Sequence, residues 1–240
     1  MLIRRLWSAC VLAAFAFLTN GGVGTQAHAG PIYDAAADFS PTSNPNGVWT
    51  YGFTSTLGGT LTTYTTAATL SGVSIWHGPS TDPAVFWNGT SAPQNLYTWI
   101  LQPKQLAFHP GPGGEYSVIR FTTPAAGSFA LSSAFEGIDY VGTTTQVYVL
   151  QNGTTLFSGP INGYGSNASF STTVLLSAGE SIDFAVGYSN GSYLYDTTSI
   201  SAILTTTSSI PEVDPAGIGS VLALITGSLG LLERRRVKAD

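Results

Sequence analysis

The chain has 240 residues, a formal net charge of −5, and charge on only 9% of its residues. Between residues 30 and 209 nine acids face two bases, Lys104 and Arg120, which excludes a nucleic-acid partner, because that partner requires phosphate neutralisation. The single cysteine, Cys10, sits in an N-terminal leader, so the mature chain has no disulfide, no Cys-ligated zinc and no Cys nucleophile.

The leader comes first. Arg4 and Arg5 precede an apolar run from Leu6 to Leu18, and Ala27-His28-Ala29 follows. This is the pattern of a secretory signal peptide over residues 1–29, cut after Ala29 so that the mature chain begins at Gly30. The run is too short for a permanent membrane span.

Residues 30–209 read as one domain. Residues 30–47 are a lead-in or first strand. Residues 48–53 (VWTYGF) are dense in β-formers, and residues 60–66 and 72–76 are short strands. Residues 78–94 hold Pro79, Pro83, Pro93 and Asn88-Gly89, and read as a long loop. Strand character resumes at 97–101 and 106–108.

The pattern is cleanest over residues 105–205. Residues 116–122 put Tyr116, Val118 and Arg120 on one face and Ile119 and Phe121 on the other. Residues 128–135, 146–150, 155–157, 169–176, 181–188 and 198–204 supply further strands. Asn152-Gly153 and Asn190-Gly191 are turn pairs suited to positive φ. No stretch between leader and tail has a helical period. The expected fold is all-β, an antiparallel two-sheet sandwich of jelly-roll type, with a barrel as the alternative.

The tail has its own logic. Residues 216–232 carry no charge, and Arg234, Arg235, Arg236 and Lys238 follow. As a helix those seventeen residues span ~26 Å, close to a hydrocarbon core of ~30 Å. Pro211 and Pro215 set its start near Ala216. The basic cluster acts as a stop that stays cytoplasmic, which places the body outside. A buried helix of a soluble domain would show a polar face, and this span has none.

Ile210-Pro211-Glu212-Val213, the apolar span and the basic end together resemble the PEP-CTERM sorting signal of Gram-negative bacteria. Val213 stands where that family usually has Pro, and Pro215 marks a variant of the motif. The resemblance implies an exported substrate of an exosortase-like transpeptidase. Such a protein passes through the secretion machinery, rests at the inner membrane and ends at the cell surface or in the extracellular matrix.

A second resemblance covers residues 108–204. His109-Pro110-Gly111, Ile119-Arg120-Phe121-Thr122 with Pro124 and Gly127, and the run from Ala178 to Phe184 resemble a module of exported planctomycete-type proteins. In outline the block is also similar to carbohydrate-binding β-sandwiches, through strand pattern and turns. No binding residue carries over.

Candidate chemistry is sparse. Glu115, Glu136 and Asp139 have the residue type for a glycosidase pair, but Glu136 and Asp139 read as residues of a strand-end turn. His77 and His109 both close strands, with no nucleophile elbow beside them, and whether they meet is not legible in sequence. Trp49 and Trp76 read as core. Trp87, in the proline-rich loop, and Tyr193 and Tyr195, after the Asn190-Gly191 turn, are the expected ligand-binding aromatics. A structural calcium ion is an alternative reading of Asp34, Asp38, Asp183 and Asp196, with Asp183 and Asp196 favoured. The sequons at Asn88, Asn152, Asn167 and Asn190 read as turns. The sequence therefore predicts a non-enzymatic protein without a cofactor, with a polysaccharide as the expected partner. A secreted polysaccharide-active hydrolase is the alternative.

Overall fold

The computed structural model describes residues 30–207. The expected signal segment with Ala27 and Ala29 lies outside them. So do the sorting motif Ile210–Val213, the span 216–232 and the basic stop Arg234, Arg235, Arg236 and Lys238. Among the described residues no helix is long and apolar enough to cross a membrane.

The described chain is built of strands alone. The first eight are β1 Ile32–Asp34, β2 Trp49–Thr54, β3 Thr62–Thr63, β4 Thr66–Leu70, β5 Val73–His77, β6 Ala84–Asn88, β7 Gln94–Leu96 and β8 Trp99–Leu101. The second eight are β9 Leu106–His109, β10 Tyr116–Thr122, β11 Gly127–Gly137, β12 Thr144–Gln151, β13 Thr154–Asn162, β14 Asn167–Leu176, β15 Ser181–Tyr188 and β16 Thr198–Thr206.

The second eight form a jelly roll. β9 pairs with β16, β10 with β15, β11 with β14 and β12 with β13, all antiparallel. This is one long hairpin, nested four deep. It closes at Asn152-Gly153, where both residues have positive φ (50° and 80°), as a two-residue hairpin turn requires. Rolling the hairpin up adds the β11–β16 and β12–β15 pairs and divides it into two sheets.

The earlier strands extend those sheets. One runs β14-β11-β16-β9-β6-β5-β4, with β1 also on β16; the other runs β13-β12-β15-β10-β2-β3. The expected loop over residues 78–94 is thus corrected, because it contains β6. Pro83 and Gly89 flank β6 closely, and its residues are buried on both faces, so alternation is absent.

Between the inner faces lies the main core. Trp49, Tyr51, Ile119, Phe121, Phe184 and Val149 meet Trp76, Phe108, Phe129, Phe135 and Leu204. Burying each such side chain contributes roughly 1.5–3 kcal/mol. The β7–β8 hairpin covers the outer face of β5, β6 and β9. There Leu96, Trp99 and Leu101 pack with Val73, Ala84, Phe86, Ala107 and Ile138 in a second, smaller core.

Candidate functional site

The register of three strands brings the two histidines to one surface. His77 lies opposite Ala84, and Ala84 lies opposite His109. Directly opposed residues share a sheet face. Both histidines therefore stand on the outer face, at the end of the sheet beside the β7–β8 hairpin.

A cleft of about 430 Å³ opens there. Its floor is Ile75, His77, Phe86 and His109. One wall is the hairpin tip, Tyr97, Thr98 and Trp99. The other comes from the β15–β16 connection, with Tyr193, Leu194 and Tyr195. Asp82 and Asp139 complete it.

The hairpin tip is held firmly. Trp99 packs on Phe86 with ring centres 4.9 Å apart. The Tyr140 amide donates to Thr98 O at 2.8 Å, and the Tyr140 hydroxyl donates to Tyr97 O at 2.6 Å. Tyr97 itself is 81% exposed and has φ 51°. Tyr195 is 45% exposed and has φ 65°. Left-handed backbone is unusual for a bulky side chain and costs on the order of 1–3 kcal/mol. Tyr193 meets the His109 ring edge-on at 5.9 Å.

The polar groups have defined roles. His109 Nδ1 donates to Pro110 O at 2.8 Å and lies 3.6 Å from Asp82 Oδ1. Burial pulls the His109 pKa down, and the Asp82 carboxylate opposes that pull. Asp139 accepts from Thr98 Oγ1 at 2.9 Å and from Val141 N at 3.2 Å. Burial still raises its pKa. Behind the wall, buried Asp196 accepts from Thr144 N at 2.7 Å and Thr144 Oγ1 at 3.0 Å through Oδ1. Its Oδ2 is buried without a partner. Burial raises its pKa to about 6.

The expected site residues separate. Tyr193 and Tyr195 line the cleft. Trp87 does not: it lies on β6, stacked on Phe39 with ring centres 5.3 Å apart, with Lys104 Nζ 5.2 Å from its ring centre. Asp183 lies opposite Arg120 in register and takes both guanidinium contacts, at 2.6 and 2.7 Å. It is not brought together with Asp196, which serves the Thr144 amide. Asp34 accepts from Ala36 and Ala37 amides, and Asp38 from the Trp49 indole. Among the described residues no group of three or more His, Cys, Asp or Glu is placed to hold a metal ion. Sequence reasoning missed Tyr97 and Asp82 as cleft residues, and named Asp139 only as a carboxylate of glycosidase type.

No protein-family model matches the sequence, and curated proteins show no match to it. Several solved structures are similar to this chain over part of its length. One is a family 35 carbohydrate-binding module from Clostridium thermocellum, 12% identical, with a TM-score of 0.32 over 48% of this chain and 87% of that one. Another is a family 51 module from Clostridium perfringens GH95 in complex with methyl-galactose, 15% identical, with a TM-score of 0.33 over 59% and 94%. A third holds the second family 51 module of Clostridium perfringens ZmpB with GlcNAc, 13% identical, with a TM-score of 0.35; this chain covers 30% of it. At these identities and scores no residue role transfers from them.

Proposed function

We propose that this protein is an exported, non-catalytic β-sandwich module that binds a polysaccharide in the cleft between the β7–β8 tip and the β15–β16 connection. It works at the cell surface or in the extracellular matrix. The tail, with its PEP-CTERM-like pattern, brings it to an exosortase-like transpeptidase after the secretion machinery has moved the body across the inner membrane.

One observation carries the binding reading. Two tyrosines at the cleft rim, Tyr97 and Tyr195, keep a left-handed backbone while their side chains stay exposed. Such strain clusters at functional sites. Exposed aromatic faces stack on the apolar faces of sugar rings, and neighbouring carboxylates accept sugar hydroxyls. The test is calorimetric titration of the purified protein against a panel of soluble glycans. Tyr97→Ala and Tyr195→Ala each lower affinity about tenfold, a loss of about 1.4 kcal/mol, with the melting temperature unchanged. A glycan that binds both variants as tightly as the parent removes the site, and no binding to any glycan removes the function.

A second reading, a secreted polysaccharide hydrolase, has one observation in its favour. Asp82 and Asp139 line the same cleft, and the Asp139 pKa is raised, as a general acid requires. Against it, both Asp139 oxygens already accept hydrogen bonds from Thr98 and Val141. New reducing ends that vanish in Asp139→Asn would select the hydrolase.

A further inference from the structure

We propose that the cleft selects a glycan bearing free amines, of the glucosamine type, and rejects uronic acids; this rests on reading the cleft as a glycan site. The argument is one of donors and acceptors. His77 Nδ1 sits 2.8 Å from Gly78 O and 3.0 Å from Ser80 O. His109 Nδ1 sits 2.8 Å from Pro110 O. Carbonyl oxygens only accept, so each Nδ1 carries a proton, and Nε2 is the ring nitrogen left to accept when the ring is uncharged. Asp82 and Asp139 add carboxylates, which are acceptors when ionised.

Asp82 is the group left open. Its side chain is 30% exposed, and its carboxylate takes no hydrogen bond from a described residue; the His109 ring nitrogen lies 3.6 Å away. That makes it the carboxylate a ligand can reach, whereas Asp139 is engaged with Thr98 and Val141.

No cation of the domain offsets this charge. Lys104 and Arg120 are the only lysine and arginine between residues 30 and 207. Lys104 lies over Trp87 and donates to Gly89 O at 3.1 Å. Arg120 is held by Asp183 on the other sheet. Neither lines the cleft. The cleft therefore presents acceptors and negative charge between aromatic walls. An ammonium group has three donors and no acceptor, so it complements that set. A uronate brings acceptors and negative charge, and is repelled.

The test compares oligosaccharides of equal length by calorimetry, at a pH where the sugar amine is largely protonated: a glucosamine oligomer, its N-acetylated counterpart and a uronate oligomer. The glucosamine oligomer binds about tenfold more tightly than the N-acetylated one, and the uronate does not bind. Asp82→Asn abolishes the difference. Added salt weakens only the glucosamine oligomer, because it screens an ion pair, and this needs no variant. Equal binding of the two hexosamine oligomers, or preference for the uronate, overturns the selectivity while the polysaccharide reading stands. Failure of every glycan tried overturns both.

Discussion

The nested hairpin over residues 106–206 and the strands before it meet the same burial problem in different ways. In β11, β13 and β14 of the hairpin, one face meets the core and the other meets water. β11 alternates buried and exposed residues along most of its length. In the earlier region the strands are short, and β5 and β6 are covered on both faces. β6 faces the main core through Val85 and the small outer core through Ala84 and Phe86. The hairpin supplies a regular frame. The earlier region turns one end of that frame into a cleft, because the β7–β8 hairpin lies over the sheet.

If the two regions are one cooperative unit, core damage in either is global. Phe121, from the hairpin, meets Trp49, from the earlier region, with ring centres 5.5 Å apart. Phe121→Ala and Trp49→Ala each lower stability by roughly 3–5 kcal/mol, read by denaturant unfolding as one transition. Separate transitions for the two regions in Trp49→Ala would break the comparison. A smaller effect concerns the hairpin's outer face. Arg120 is 26% exposed at its side chain and Asp183 is 3% exposed. Removing the arginine strands a buried carboxylate, while removing the aspartate leaves a cation that reaches water. Arg120→Ala therefore costs roughly 3 kcal/mol and Asp183→Ala distinctly less. Equal costs in urea titrations would mean that Asp183 reaches solvent.

Legibility in the sequence follows the same division. β10 and β15 occupy the residues that alternation predicts, and Asn152-Gly153 turns as its residue types require. Alternation exists in β15 because its outward positions are small or polar, Ser181, Asp183, Ala185 and Gly187, although that face is covered too. β6 hid between prolines and an Asn-Gly pair because its outward positions, Ala84 and Phe86, are as apolar as its inward Val85, which leaves no period to read. For the same reason Trp87 looked like a loop aromatic, yet it packs beneath the sheet on Phe39. The site was less legible than the frame. Tyr193 and Tyr195 stood out after a turn signal. The meeting of His77 and His109 depends on a register through Ala84 that no local pattern encodes. Tyr97 occupies a left-handed position that sequence signals assign to Gly or Asn.

The smallest predicted effect tests where frame and cleft join. Asp196 belongs to the β15–β16 connection, which carries Tyr193 and Tyr195, and its Oδ1 anchors that connection to the first residue of β12 through Thr144. Asp139 is the charged group acting on it, and that charge adds to the burial that raises its pKa from 3.8 to about 6. The native state therefore holds the proton more tightly than the unfolded chain. Between about pH 6 and pH 4 the folded protein binds the extra proton, so stability rises as pH falls through that window. The gain is on the order of 2 kcal/mol. Asp196→Asn keeps an oxygen for Thr144 and cannot titrate, so it flattens the rise in thermal unfolding scans across the window. A parent protein whose stability falls from pH 6 to pH 4, with the same fall in the variant, would mean that the Asp196 carboxylate finds water. The connection would then be as open as the tyrosines it carries, and the frame would end at β12 rather than extend to the cleft wall.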